Sequence, residues 1–223
     1  MSNINNLKSW WPPSAILKEW GVPGEAPNNI YNFFSLELWT NSFGPTQSAI
    51  VWANPATYLG PDTEFGSNNN DIKQNIAAEY QNAGSRILIS AFGNVEFPTT
   101  AQENPVAVAT KLADFVISNH FHGVNVKYQD MPALDSGTAE AWLISFYTEL
   151  RILLPDHIIV ATVKPSYCTT PHHKYYQVNA AVGEKIDFYV VEYYNDGNTY
   201  DTYDKLFVSN SGAAVKELVN LGF

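Results

Sequence analysis

The sequence has little of several things, and each shortage excludes something. Cys168 is the only cysteine among 223 residues. An internal disulfide is therefore impossible, and a reducing compartment fits. Basic residues are few, 12 Lys and Arg against 22 Asp and Glu, which gives a formal charge of −10. With no cluster of Lys and Arg to neutralise phosphates, nucleic acid is not an expected partner. The same charge disfavours an anionic membrane surface. No apolar run approaches the length of a membrane span. The opening residues, Met1 to Asn6, carry no basic stretch followed by an apolar one. A cytoplasmic protein is expected, or a secreted one where a leader has been removed. Repeats, low-complexity segments and linkers are lacking too, so residues 1–223 read as one domain.

Aromatic residues are abundant: 13 Tyr, 12 Phe and 6 Trp, or 14% of the chain. Such side chains fill a core or line a groove in which sugar rings stack. Short apolar runs alternate with stretches of helical periodicity. Asn29–Leu38, Arg86–Phe92, Gly123–Tyr128, His157–Val163 and Ile186–Tyr194 read as strands. Asp71–Ala83, Pro105–Asn119 and Thr138–Leu153 read as helices, the first stopped by Gly84 and the third before Pro155. The tail from Ser211 to Leu221 is expected to add one more helix. Strand–helix alternation of this kind predicts an α/β fold with a parallel sheet covered by helices.

One segment carries more than periodicity. Phe121-His122-Gly123-Val124-Asn125-Val126-Lys127-Tyr128-Gln129-Asp130 resembles DGxDxDxE, the fourth-strand signature of glycoside hydrolase family 18, the chitinases and their relatives. Gly123 stands where the motif has Gly. His122, Asn125 and Lys127 stand where it has Asp, and Gln129 where it has the catalytic Glu. Ile89-Ser90-Ala91-Phe92-Gly93 resembles the family's third-strand segment, and Val191-Glu192-Tyr193-Tyr194-Asn195 its sixth. Gly44-Pro45 with Trp52, and Trp11-Pro12-Pro13, are similar to the fungal branch. The resemblance implies a (β/α)8, TIM-barrel-like fold. Five strands read clearly and about six are expected where a complete barrel has eight, so an incomplete barrel lacking clear first and last strands is expected.

The substitutions alter the chemistry that the resemblance implies. Family 18 enzymes protonate the leaving oxygen with that Glu while the substrate's own acetamide attacks the anomeric carbon. A neutral amide such as Gln129 has no proton to give near neutral pH. Lys127 reverses the charge of the Asp that orients the acetamide. Hydrolysis by the family mechanism is not expected. Side chains alternate along a strand, so Asn125, Lys127 and Gln129 share one face, which in the family looks into the barrel. Glu192 and Tyr194 are expected to point inward likewise, so that Lys127 and Glu192 can meet as an ion pair.

The first functional reading is a non-hydrolytic, lectin-like pseudoenzyme. It binds a chitooligosaccharide, or another glycan containing N-acetylglucosamine, at the barrel mouth through Asn125, Gln129, Tyr128, Tyr31, Trp52 and Tyr194. The second is a repurposed enzyme in which Lys127, with Lys164 and Glu192, attacks a small carbonyl substrate. The third is an assembly protein whose open barrel edges pair with another copy, since unpaired strand edges invite association. A homo-oligomer is expected on that ground. No cofactor is called for. His172 and His173, with Asp130 or His157, lack metal-ligand spacing, so no metal is expected. Cys168 and Ser90 have no partners in sequence that would make them nucleophiles.

Overall fold

The computed structural model describes residues 32–60, 63–164, 166–169, 173–192 and 218–219, with the backbone alone at 168, 169, 218 and 219. The strands are β1 (Phe33–Thr40), β2 (Gly44–Pro45), β3 (Arg86–Gly93), β4 (Gly123–Tyr128), β5 (Ile158–Val163), β6 (Phe188–Val191) and β7 (Leu218–Val219). The helices are α1 (Gln47–Ala53), α2 (Pro55–Leu59), α3 (Asn69–Asn82), α4 (Pro105–Ser118), α5 (Met131–Ser136), α6 (Ala139–Leu153), α7 (Ser166–Thr169) and α8 (Tyr175–Val182). They form one sheet of order β2-β1-β3-β4-β5-β6-β7. Every pairing is parallel except the short β1–β2 hairpin. Leu218–Val219, expected to be helical, instead adds a strand to the edge of β6. The rest of the tail, with Trp10, Trp11, Trp20, Tyr31, Tyr193 and Tyr194, lies outside the described residues.

Among the described residues the sheet is not closed, but it curls. β1 and β6 have three strands between them in the sheet order, yet Phe33 and Phe188 touch with ring centroids 4.9 Å apart. Only a sheet rolled toward a barrel brings inward side chains of such distant strands together. The architecture is thus an open (β/α) barrel.

Local chemistry explains the elements. Asn68 and Asn104 cap α3 and α4 by accepting backbone N–H bonds from the first helical turn. Pro105 occupies the first position of α4, where a missing N–H costs nothing. Gly123 is required by close approach: a Cβ there would run into the Ile158 carbonyl of β5.

The outer face of the strands holds the main core. Leu36, Ile89, Val124, Val126, Ile159, Ala161 and Val191 pack there against Ile76, Leu112, Val116, Leu143 and Phe146 of the helices. A second, smaller apolar cluster of Leu88, Val160, Phe188 and Val190, with Phe33 and Ile158 against it, fills the inside of the curl.

Two anchors hold the N-terminal end of the sheet. Arg151, near the end of α6, donates to the carbonyls of Leu154, Pro155 and His157 and pairs with Asp187 at 2.6 Å. Asp187 in turn accepts from the Ile159 N–H at 2.7 Å, tying the start of β6 to β5. At the start of β4, His122 Nδ1 accepts the Ile87 N–H at 2.9 Å. Burial, with Arg86 nearby, pushes the His122 imidazole down to about 4.

Candidate functional site

The inward side chains stack in three layers along the barrel axis. Phe33, Leu88, Ile158, Val160, Phe188 and Val190 form an apolar floor. Above it, a hydrogen-bonded chain crosses four adjacent strands. Ser35 and Ser90 share a 2.7 Å bond, the Asn125 amide donates to Ser90 at 3.5 Å, and Thr162 donates to Asn125 Oδ1 at 2.6 Å. Above that, where the parallel strands end, come Glu37, Lys127, Gln129 and Glu192. Strand alternation alone generates this order on β1 and β4: Phe33, Ser35, Glu37, and Asn125, Lys127, Gln129. In parallel α/β folds, the carboxyl ends of the strands are where ligands bind.

The top layer is an ion cluster. Lys127 Nζ lies 3.2 Å from Glu192 Oε1 and 3.5 Å from Glu37 Oε1. Gln129 Nε2 donates weakly to Glu192 Oε2, at 3.4 Å. Glu192 is the most enclosed, its side chain 9% exposed, against 17% for Glu37 and 21% for Lys127. Burial raises the Glu37 carboxyl above its usual range; the pull of Lys127 acts against this, and the charge of Glu192 adds to it. Two carboxylates beside one lysine favour its ammonium form, which has no lone pair to attack a carbonyl. This weighs against the Schiff-base reading of Lys127. Lys164 follows Thr162 by two residues, is half-buried, and makes no ion pair with a described residue.

The Phe92 ring does not occupy this level. Phe92 lies in register with Lys127, and alternation from Leu88 and Ser90 would aim its ring into the mouth. Instead its φ is +73°, and the ring turns outward among Trp39, Tyr128, Trp142 and Phe146. A left-handed non-glycine residue costs roughly 1–3 kcal/mol. Contacts with four aromatic rings offset that cost.

Two expected groove residues are corrected. Tyr128 is 1% exposed on the outer face, tilted against Trp142, with its hydroxyl donating to Thr99 at 2.7 Å. It follows Val126 by two positions and shares that residue's outward direction. Trp52, fully buried on α1, packs on Phe121 and donates Nε1–H to the Asn119 carbonyl at 2.8 Å. Neither lines the mouth. Tyr31 and Tyr194 lie outside the described residues.

Glu37 is the residue that sequence reasoning missed; its signal was the polar alternation Ser35, Glu37 inside an otherwise apolar run. Ser35 and Thr162 were likewise overlooked as partners of Ser90 and Asn125. Asp130 and His173 have structural duties. Asp130 accepts from the backbone and hydroxyl of Thr100, at 2.8 and 2.5 Å, and caps α5 through Ala133 N–H. His173 is held between Asp135 at 2.7 Å and the Ser166 carbonyl at 2.9 Å. Among the described residues, no group of three or more His, Cys, Asp or Glu is placed to hold a metal ion. No helix there is long and apolar enough to cross a membrane.

An open (β/α) barrel with a polar mouth at its strand ends defines the class. No family model matches the chain, and no curated protein matches it in sequence. Its fold is nonetheless that of the GH18 chitinases. A GH18 chitinase from Pseudoalteromonas aurantia superposes with a TM-score of 0.59 at 23% identity, over 80% of this chain and 66% of that one. A Streptomyces coelicolor protein assigned as chitinase A gives a TM-score of 0.50 at 17% identity, over 75% of this chain and 53% of its own. The chain thus spans about two thirds of the length of one of these structures and about half of the other.

Proposed function

We propose that the chain binds a carbohydrate of the chitooligosaccharide type at the mouth of its open barrel, and does not hydrolyse it by the family 18 mechanism. One observation carries this reading. The inward residues of a chitinase-like barrel converge on a polar mouth in which Lys127 and Gln129 occupy the end of β4 and carry no carboxyl group. Sugar recognition needs convergent hydrogen-bonding groups over a rigid floor, and the Asn125 layer above Leu88 and Val160 supplies that support. The side chains of Gln129, Glu37, Lys127 and Glu192 present amide, carboxylate and ammonium groups suited to hydroxyls. Tyr31 and Tyr194 remain candidate stacking residues.

Incubating the protein with chitooligosaccharides, acetylated and deacetylated, separates binding from turnover. Saturable binding with no shortened products is expected. Release of shorter oligosaccharides would contradict the non-hydrolytic part. Absence of binding to either series by the folded protein would remove the carbohydrate reading.

A further inference from the structure

We infer that the sugar preferred at this mouth carries a free ammonium: a deacetylated amino sugar rather than its N-acetylated form. The inference rests on the carbohydrate reading above and names the ligand class of that same site.

The charge balance of the mouth is the first ground. Glu37 and Glu192 reach one ammonium, Lys127 Nζ, from strands on opposite sides of the curl. Among the described residues the two carboxylates then share a single basic partner, and Lys164 pairs with neither of them. The cluster has room for one more positive charge.

The second ground is an open acceptor. Glu192 Oε2 is engaged by the Gln129 amide, and both Oε1 atoms by Lys127. Glu37 Oε2 accepts from no described residue, on a side chain that is 17% exposed. With Phe92 turned outward, no ring from β3 stands over this part of the mouth.

The third is what the cluster rejects. An ammonium brings a charge and three N–H donors to an acceptor-rich place. An acetamide brings one donor and a carbonyl oxygen, which a carboxylate oxygen repels. A uronate brings only negative charge. The position of Lys127 Nζ between the two carboxylates shows that the layout accommodates an ammonium group. Burial of Glu37, which disfavours its charged form, is relieved when a cation arrives beside it.

The test is calorimetric titration of the intact chain with oligosaccharides of equal length: deacetylated chitooligosaccharide, its N-acetylated counterpart, and oligogalacturonate. A mildly acidic buffer keeps the sugar amine charged. The deacetylated ligand is expected to bind about tenfold tighter than the acetylated one, with the uronate weakest. The ratio should fall as salt screens the attraction. Glu37→Gln should bring it toward one. If that variant does not fold, the salt series on the unmodified chain decides alone. Equal or tighter binding of the acetylated ligand, or a preference that salt does not touch, overturns the inference and leaves the carbohydrate reading standing. Absence of binding to all three ligands overturns both.

Discussion

The two faces of the same sheet obey different rules. Outward, β3, β4, β5 and β6 offer Ile89, Val126, Ala161 and Val191 to the helices, and an aromatic cluster closes the C-terminal end around Phe92, Trp142 and Phe146. Inward, the same strands change from apolar floor to hydroxyl and amide chain to ions within a few residues. Stability resides mainly on the outer face, where apolar burial is continuous. The inner face contributes less, and its residues can be exchanged without unmaking the barrel. That is how the mouth can hold Lys127 and Gln129 at the end of β4 while the fold stays chitinase-like.

The comparison can be broken from the outer face first. Phe146 is fully buried, stacked on Trp142 and edge-on to Phe92. Phe146→Ala should cost about 3–5 kcal/mol in urea denaturation, as large-to-small aromatic changes in cores do. Binding at the mouth should survive at temperatures where the variant is still folded. A loss below about 1 kcal/mol would show that the outer face is not where stability resides.

Lys127→Met attacks the inner face. It leaves Glu37 and Glu192 facing each other without their shared cation. Fully buried pairs lose about 3–5 kcal/mol on such a change, and the partial exposure here reduces the expected cost to about 1–3 kcal/mol at neutral pH. The deficit should shrink as the solution is acidified, because protonating either carboxylate removes the repulsion. A variant more stable than the parent at neutral pH would mean that the cluster is net unfavourable.

The smallest effect contrasts the two ends of the barrel through pH. His122, near the floor, has a folded-state pKa lowered to about 4 by burial, below the ordinary value of about 6.5. Its contribution is complete above about 6.5 and is lost as pH falls through the window down to about 4. Glu37, at the mouth, is shifted the other way, so its burial penalty is relieved as pH falls through its raised range. The net loss of stability on acidification should be smaller than His122 alone would give. Urea melts across this range should show a steeper loss in Glu37→Gln and a flatter one in His122→Asn. Identical slopes in all three proteins would contradict both assignments.

Much of this was legible in the sequence where one periodicity ran unbroken. Gly123–Tyr128 reads as a strand and is β4; Arg86–Phe92 reads as a strand and is β3 one residue longer. Pro105–Asn119 and Thr138–Leu153 read as helices and are α4 and α6 to within a residue. The inward set Asn125, Lys127, Gln129 follows from the same period of two. Glu37 escaped because its meaning depends on Lys127 and Glu192, which are far away in sequence and adjacent only once the sheet curls. Phe92 escaped because a left-handed φ leaves no mark on hydropathy. Trp52 was misplaced because an aromatic residue fits a core as readily as a groove, and its indole N–H found a backbone carbonyl to satisfy it there. Short elements such as α1, α2 and α5 had too few residues to show a helical period.

The central claim is that function sits at the mouth of the curl, on Lys127 and the carboxylates around it. Titration of the intact chain and of Lys127→Met with chitooligosaccharides, under conditions where both are folded, tests it most directly. The account predicts saturable binding by the parent and affinity weakened about tenfold or more in the variant. Equal affinity in the two proteins would place the binding surface elsewhere and contradict it.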